Sequence, residues 1–272
     1  MKEKELSIIV TSYRKPELLE LCLNSIFANL KNDLDYEVIV ADSETREETR
    51  DLMREKFPEI TFISNEKNVG FGVLANQGMR KARGSYYFII NHDIIIKDDA
   101  IQSLLSYLRN ERNVGLVGPK LVNFDGSIQP SAFRFYKLRT IVFRRTFLQK
   151  FAFAKRHLDW FLMKDEIAKK KILEVDWVMG SAMMVSREAV EKVGGFDEHF
   201  FLYFEDVDWC WRFWQAGYKV IYNQNVTVAH YHGKASGNKS VLEAVLLNKF
   251  ARIHIKSALY FFWKHWGEER PH

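Results

Sequence analysis

The chain has 272 residues, 47% apolar and 28% charged, a globular balance that excludes a mainly disordered chain. Fourteen Gly and five Pro exclude collagen-like and low-complexity readings. Two cysteines, Cys22 and Cys210, are too few for a disulfide framework or a four-cysteine zinc site, so free thiols are expected. The net charge is +5, but twelve Lys/Arg against three acids between Arg134 and Lys171 hold all of the positive excess. Eight aromatics are interleaved in that stretch, from Phe135 to Phe161. Such a segment suits anionic lipid, an anionic substrate or nucleic acid, or else a helical insertion with its aromatics turned inward.

The first hundred residues alternate strand and helix patterns. Strands are expected at Leu6–Thr11, Tyr36–Ala41, Thr61–Ser64 and Tyr86–Asn91. Helices are expected from Pro16, over Thr45–Phe57, over Gly72–Ala82, and to Arg109 behind an Asp98 N-cap. This alternation implies βαβ units and a parallel sheet. Val114–Val122 and Val175–Val185 contain further strands, and Ser186 starts a short helix ending at Gly194-Gly195. A helix over Glu205–Ala216 closes at Gly217. Strands follow at Lys219–Tyr222 and Val226–Ala229, and Leu242 onward reads as helical.

Polar residues cluster at the carboxyl ends of the first four strands: Ser12-Tyr13-Arg14, Asp42-Ser43, Asn65 with Asn68, and Asn91-His92-Asp93. Open α/β sheets bind ligands at such ends. Gly70-Phe-Gly72-Val-Leu-Ala75 fits a dinucleotide fingerprint on paper, but it follows the third strand instead of the first, and amides crowd it. Glu205, Asp206 and Asp208 fall within four residues, beside seven aromatics between Phe196 and Trp211. On a helix, Glu205 and Asp208 share a face, Asp208 can pair with Arg212, and Asp206 points elsewhere. A carboxylate among aromatics is placed for a raised pKa and general-base work. His230-Tyr-His232-Gly233 follows the last strand, and one Asp and one His can hold a divalent ion when phosphates complete the shell.

Together these segments resemble inverting glycosyltransferases of family 2, with the GT-A fold, over about Leu6 to Lys264. The similarity is strongest to the bacterial rhamnosyltransferase-like branch. It rests on Ile9-Val-Thr-Ser-Tyr13, Ala41-Asp-Ser43, Asn68-Val-Gly-Phe-Gly72 with Asn76 and Gly78, and Asn91-His-Asp93. It continues through Gly118-Pro-Lys-Leu121, Asp125-Gly-Ser-Ile-Gln129, Trp177-Val-Met-Gly-Ser181, Gly194-Gly-Phe-Asp-Glu198, Phe204-Glu-Asp-Val-Asp208 with Arg212, and His230.

The resemblance implies an α/β, Rossmann-like, mostly parallel sheet flanked by helices. A GT-A domain would cover 1–240, with a nucleotide-sugar half over about 1–120 and an acceptor and catalytic half over about 121–240. The basic-aromatic insertion at 134–171 would belong to that second half, and 241–272 would form a C-terminal amphipathic extension. Thr11, Tyr13, Arg14, Asp42, Asn68, Gly70, Asn76 and His92 would line the nucleotide-sugar site. Asp93 and His230 would hold Mg²⁺ or Mn²⁺. Asp206 would be the base, supported by Glu205 and Asp208. Asn91 stands where the family's acidic motif has its first carboxylate, which weakens metal binding without substrate.

The expected reaction moves a sugar such as rhamnose from a nucleotide-diphosphate donor to a saccharide or lipid-linked saccharide hydroxyl. The alternative is a non-catalytic nucleotide-sugar binder of the same fold. No RNP, KH or zinc-knuckle pattern is present, so no nucleic-acid partner is expected. Met1-Lys-Glu-Lys-Glu5 lacks a signal-peptide run, and no stretch approaches the ~18 apolar residues of a spanning helix. A cytoplasmic chain, peripheral on the inner face of an anionic membrane, is the resulting expectation.

Overall fold

The computed structural model describes residues 3–31, 33–231, 249–269 and 271. The expected alternation is present as β1 (Lys4–Tyr13), α1 (Pro16–Asn29), β2 (Tyr36–Ser43), α2 (Glu47–Lys56), β3 (Thr61–Asn65), α3 (Phe71–Lys81) and β4 (Gly84–Asn91). Then come β5 (Ile94–Ile95), α4 (Ala100–Asn110) and β6 (Val114–Val122). The α4 N-cap is Asp99, not Asp98; Asp98 takes a left-handed φ of 51° in the turn before it.

Short strands β7 (Ile128–Gln129) and β8 (Ala132–Phe133) lead into the basic segment. That segment is helical: α5 (Leu138–Arg145), a 3₁₀ turn (Phe147–Lys150), α6 (Ala152–Phe161) and α7 (Lys164–Lys169). The chain returns through β9 (Ile172–Glu174), β10 (Trp177–Val178), β11 (Ala182–Ser186), α8 (Arg187–Val193), α9 (Glu205–Gln215) and β12 (Lys219–His230). The two strands expected at the end of this run are one strand, β12, with an irregularity in its pairing between Asn223 and Thr227. The last described helix is α10 (Lys249–Lys264). His232-Gly233 and the helix start expected at Leu242 lie outside the described residues.

The main sheet runs β3-β2-β1-β4-β11-β6-β12-β5, with β7 beside β6 and β9 beside β12. Neighbours from β3 to β4 are parallel, as are β6 and β12. β11 is antiparallel to both β4 and β6, so those two strands also point the same way. Six strands, β1 to β4 with β6 and β12, therefore open their carboxyl ends on one edge.

Apolar runs such as Ser-Ile-Ile-Val in β1 and Tyr-Phe-Ile-Ile in β4 are buried on both faces, as covered parallel strands must be. One core lies under α1, α2 and α4, with Leu19, Ile26, Met53, Leu104 and Leu108. The opposite face holds a core rich in aromatics from the second half, including Phe133, Phe135, Phe161, Trp177, Trp209 and Phe213. Helix α10 adds Ala258 and Phe261 to that core.

The basic segment divides its aromatics. Phe135, Tyr136 and Phe161 are buried, whereas Phe147, Phe151 and Phe153 are exposed. Helix α10 is divided the same way: Ala251, Ser257, Ala258 and Phe261 face the domain, while Leu259 and Trp263 face outward.

Candidate active site

The strand ends come together as the period-2 and βαβ patterns require. Thr11, at the end of β1, donates to Asn91 Oδ1 at 2.9 Å, joining β1 to β4. His92 rests on the same strand: its backbone N–H and its Nδ1 both lie against Thr11 O, at 2.9 and 3.3 Å. Burial lowers the His92 pKa below the usual imidazole value. Tyr13 and Arg14 project beyond the edge and share Glu44; the Arg14 guanidinium also lies 5.3 Å from the Tyr13 ring centroid.

Asp42, at the end of β2, is fully buried and neither carboxylate oxygen accepts a hydrogen bond. Leaving a buried polar group unbonded is costly, and a donor group on a ligand would relieve that cost.

Asn68 shapes the loop into α3. Its Oδ1 accepts from the Gly70 N–H at 3.1 Å, and Ser43 donates to Asn68 Oδ1 and receives the Val69 N–H. Gly70 has φ +87° and a Cβ there would stand 2.2 Å from Phe201 O, so only glycine fits. Asn76 has a different task from the ligand contact expected of it. Its amide donates to Phe196 O and Glu198 and accepts from the Phe196 N–H, all at 2.9 Å. It pins α3 to the loop after Gly195.

Asp93 and His230 meet across β5 and β12. His230 Nε2 lies 3.4 Å from Asp93 Oδ1, which accepts no hydrogen bond. Gln129 donates to His230 O at 3.2 Å, which turns its Oε1 toward His230 Nδ1 at 2.8 Å. Gln129 thereby orients the His230 ring, and Nε2 is turned toward the half-buried Asp93 carboxylate. An imidazole and a carboxylate side by side are a ligand pair that a divalent cation can take. No cluster of three or more His, Cys, Asp or Glu ligands occurs among the described residues. A divalent ion here would keep positions for phosphate oxygens and water, as Mg²⁺ and Mn²⁺ do.

Helix α9 presents the acids. Tyr203 and Phe204 both take left-handed φ values, 68° and 69°, a strained pair that turns the chain sharply into Glu205. Asp206 Oδ2 accepts from the Gly180 N–H at 3.0 Å and Oδ1 from the Val207 N–H at 2.9 Å. Burial outweighs these bonds and raises the Asp206 pKa to about 6. Glu205 is buried with Oε2 unbonded, and burial together with the Asp206 charge holds its pKa well above the usual value. The two carboxyls are differentiated: Glu205 favours the neutral form, while Asp206 ionises near neutrality.

The other face of α9 carries Asp208, as the helical spacing requires. It accepts from Arg212 Nε at 2.9 Å, Lys264 Nζ at 2.7 Å and His265 Nε2 at 2.9 Å. Despite its burial, these partners hold its pKa below the usual carboxylate range. Sequence reading found the Arg212 pair but not Lys264 or His265, whose spacing along the chain carries no local signal. It also gave no role to Gly180 or Gln129.

Gly180 ties the acid to the strand ends. Its neighbour Ser181 accepts the Asn91 N–H at 3.0 Å, two residues before Asp93. Asp206, the Asp93–His230 pair and Asp42 thus lie toward one sheet edge.

The mixed α/β sheet, with buried Asp42, the Asp93–His230 pair and Asp206 toward its carboxyl edge, has the architecture of the GT-A fold. Residues 7–194 match the model of Glycosyl transferase family 2, and the chain belongs to that family. It is 23% identical over 270 residues to the N-acetylglucosaminyl-diphospho-decaprenol L-rhamnosyltransferase of Mycobacterium tuberculosis (strain CDC 1551 / Oshkosh), covering 95% of this chain and 86% of the relative. It is 25% identical over 264 residues to Rhamnosyltransferase WbbL of Escherichia coli (strain K12), covering 93% and 91%. The fold is similar to that of GalNAc-T7 solved with UDP, GalNAc and Mn²⁺, with a TM-score of 0.65 and 13% identity. That alignment covers 98% of this chain, which spans 52% of that longer one.

Proposed function

We propose that the chain is an inverting, metal-assisted rhamnosyltransferase acting on a lipid-linked saccharide. The observation that carries the catalytic part is Asp206, held by two backbone N–H groups with a pKa of about 6, on the edge that also bears Asp93 and His230. Ionised above that pH, Asp206 takes the proton of an acceptor hydroxyl as its oxygen bonds to the anomeric carbon. The bond from that carbon to the diphosphate breaks on the opposite face, and its electron pair leaves with the nucleoside diphosphate. Mg²⁺ or Mn²⁺ held by Asp93 and His230 would supply charge neutralisation at the leaving diphosphate. Thr11, Tyr13, Asp42 and the Asn68–Gly70 loop fit the nucleoside end, and the buried Asp42 suits an N–H or O–H donor.

Rhamnose and a lipid-linked acceptor are supported by the relatives' activities and by the surface. Among the described residues, ten of the eighteen exposed large hydrophobic residues fall in 138–153 and 250–266. No acid occurs between Asp125 and Asp159 or between Lys249 and Gly267. No helix among the described residues is long and apolar enough to cross a membrane. Basic-aromatic faces of this kind suit a chain lying on an anionic inner membrane surface.

A nucleotide-sugar panel with Mn²⁺ tests the reading. dTDP-rhamnose should bind most tightly and be turned over in the presence of a lipid-linked saccharide. A clear preference for another sugar would overturn the donor assignment. Absence of transfer from every donor, despite binding, would leave only the non-catalytic binder.

A further inference from the structure

Two exposed rings stand beside the Asp93–His230 pair. Val122 and Ala229 are register partners on parallel β6 and β12, and Phe124 and Tyr231 each lie two residues beyond them. That register delivers the rings to one place, with centroids 5.6 Å apart and planes tilted by 47°. Phe124 is 57% exposed and Tyr231 46%.

Hydrogen bonds fix the backbone under both rings. The Tyr231 N–H donates to Asp93 O at 2.8 Å. Phe124 sits in a turn closed by the Asn123 N–H on Ser127 O at 2.8 Å and the Gly126 N–H on Asn123 O at 2.9 Å. Asp125 Oδ1 accepts from the Ser127 N–H at 2.9 Å. The buried Gln129 amide donates both to Asn123 Oδ1 and to His230 O, which ties the turn to the end of β12. Rings on so fixed a backbone lose little freedom when a ligand stacks on them.

Their place and their neighbours point to the occupant. Thr11, Asp42 and the Asn68–Gly70 loop, which fit the nucleoside, belong to β1, β2 and the connection after β3. The rings extend β6 and β12, across Asp93 and His230 from that end. The turn itself offers the amide of Asn123, the carboxylate of Asp125 and the hydroxyl of Ser127, and no cation. It therefore differs from the basic faces at 138–153 and 250–266 and does not suit anionic lipid. It suits a sugar ring. The C–H face of a pyranose carries partial positive charge and rests on the negative face of an aromatic ring, while its hydroxyls find polar partners at the rim.

We propose that Phe124 and Tyr231 form a stacking platform for a pyranose ring of the acceptor and help to decide which acceptor is held. The inference rests on the transferase reading above and adds two residues to which that reading gives no part.

Saturation-transfer NMR with the methyl glycosides of rhamnose, glucose, galactose, mannose and N-acetylglucosamine tests it. Nucleoside diphosphate and Mn²⁺ fill the donor site, and sorbitol is the acyclic control. At least one glycoside should bind, taking up saturation most strongly on the protons of one ring face, and sorbitol should not. Phe124→Leu and Tyr231→Leu keep apolar bulk without a π face. Each should weaken the bound glycoside about two- to tenfold, the range of an aromatic contact beyond its area. Phe124→Trp should keep the binding. Near-UV circular dichroism checks the fold of each variant.

Binding of no glycoside by the wild type would overturn the platform, as would equal binding by the wild type and both leucine variants. Release of the glycoside by nucleoside diphosphate would place it in the donor pocket and also sink the assignment. A loss of nucleotide-sugar affinity in the variants, with nucleoside diphosphate affinity kept, would give the rings to the donor sugar instead. A loss confined to phosphatidylglycerol vesicles would give them to lipid. Nucleotide-sugar hydrolysis by the wild type, measured on the same preparation, reports separately on the transferase reading.

Discussion

Asp208 and His265 meet at 2.9 Å inside the domain, joining the first turn of α9 to the residue just after α10. His265 Nδ1 faces Glu268 at 2.6 Å, and Glu268 also receives Trp211 Nε1 and Gln215 Nε2. The C-terminal segment therefore clasps the helix that carries Asp206.

Asp208→Ala should cost about 3–5 kcal/mol, the usual penalty for deleting one partner of a buried charge cluster. Arg212 and His265 would be left facing an unfilled acceptor position. Chemical denaturation measures it. A loss under about 1 kcal/mol would show that the cluster is solvated in practice.

Asp206→Asn should lower transfer by ~10²–10⁴-fold while donor affinity is kept. In the wild type, turnover should fall as pH drops through about 6, because the base becomes protonated there. The stability effect has the opposite sign. A carboxyl whose folded pKa is raised above its unfolded value binds protons more tightly when folded, so its contribution improves as pH falls from neutrality toward 4. An activity profile flat between pH 5 and 8 would place the base elsewhere.

Asp42→Ala should weaken nucleoside diphosphate binding equally with and without Mn²⁺. Asp93→Asn should remove only the metal-dependent part. Calorimetry with and without chelator separates them, and identical behaviour of the two variants would undo the division of roles.

Gly70→Ala should reduce both activity and stability. The left-handed φ alone costs ~1–2 kcal/mol, and the added Cβ would press on Phe201 O. Gly126→Ala, at φ +82° with open space around it, isolates the backbone cost. If the two variants behave alike, the contact between residue 70 and the 199–204 loop has no weight.

Much of this was legible locally. The strands β1, β2 and β4 announce themselves through apolar runs, and their polar ends deliver Thr11, Asp42 and Asp93 to one edge. Acid spacing on α9 correctly separated Asp206 from Asp208. What failed was non-local or too short to be periodic. Strands β5, β7, β8 and β10 have two residues each. Asn76 reads as a ligand contact because its partners, Phe196 and Glu198, are set by tertiary packing. Asp98 and Asp99 offer equal capping chemistry, and only the turn geometry chooses between them. The aromatics of 134–171 could not be sorted into buried and exposed sets without the helix orientations.

The reversed strand β11 also bears on how the chain acquires its shape during synthesis. Its Ala182 pairs with Ile90, and Val185 pairs with Leu116. Until β11 has emerged, β4 lacks one sheet neighbour and β6 has not joined it. A nascent chain ending near residue 120 would expose one side of β4, an apolar edge open to mispairing. Closure waits for segments distant along the chain, and the loop entropy is lost before the contacts are gained. The amino-terminal half is therefore the part of this protein that most depends on what is translated after it.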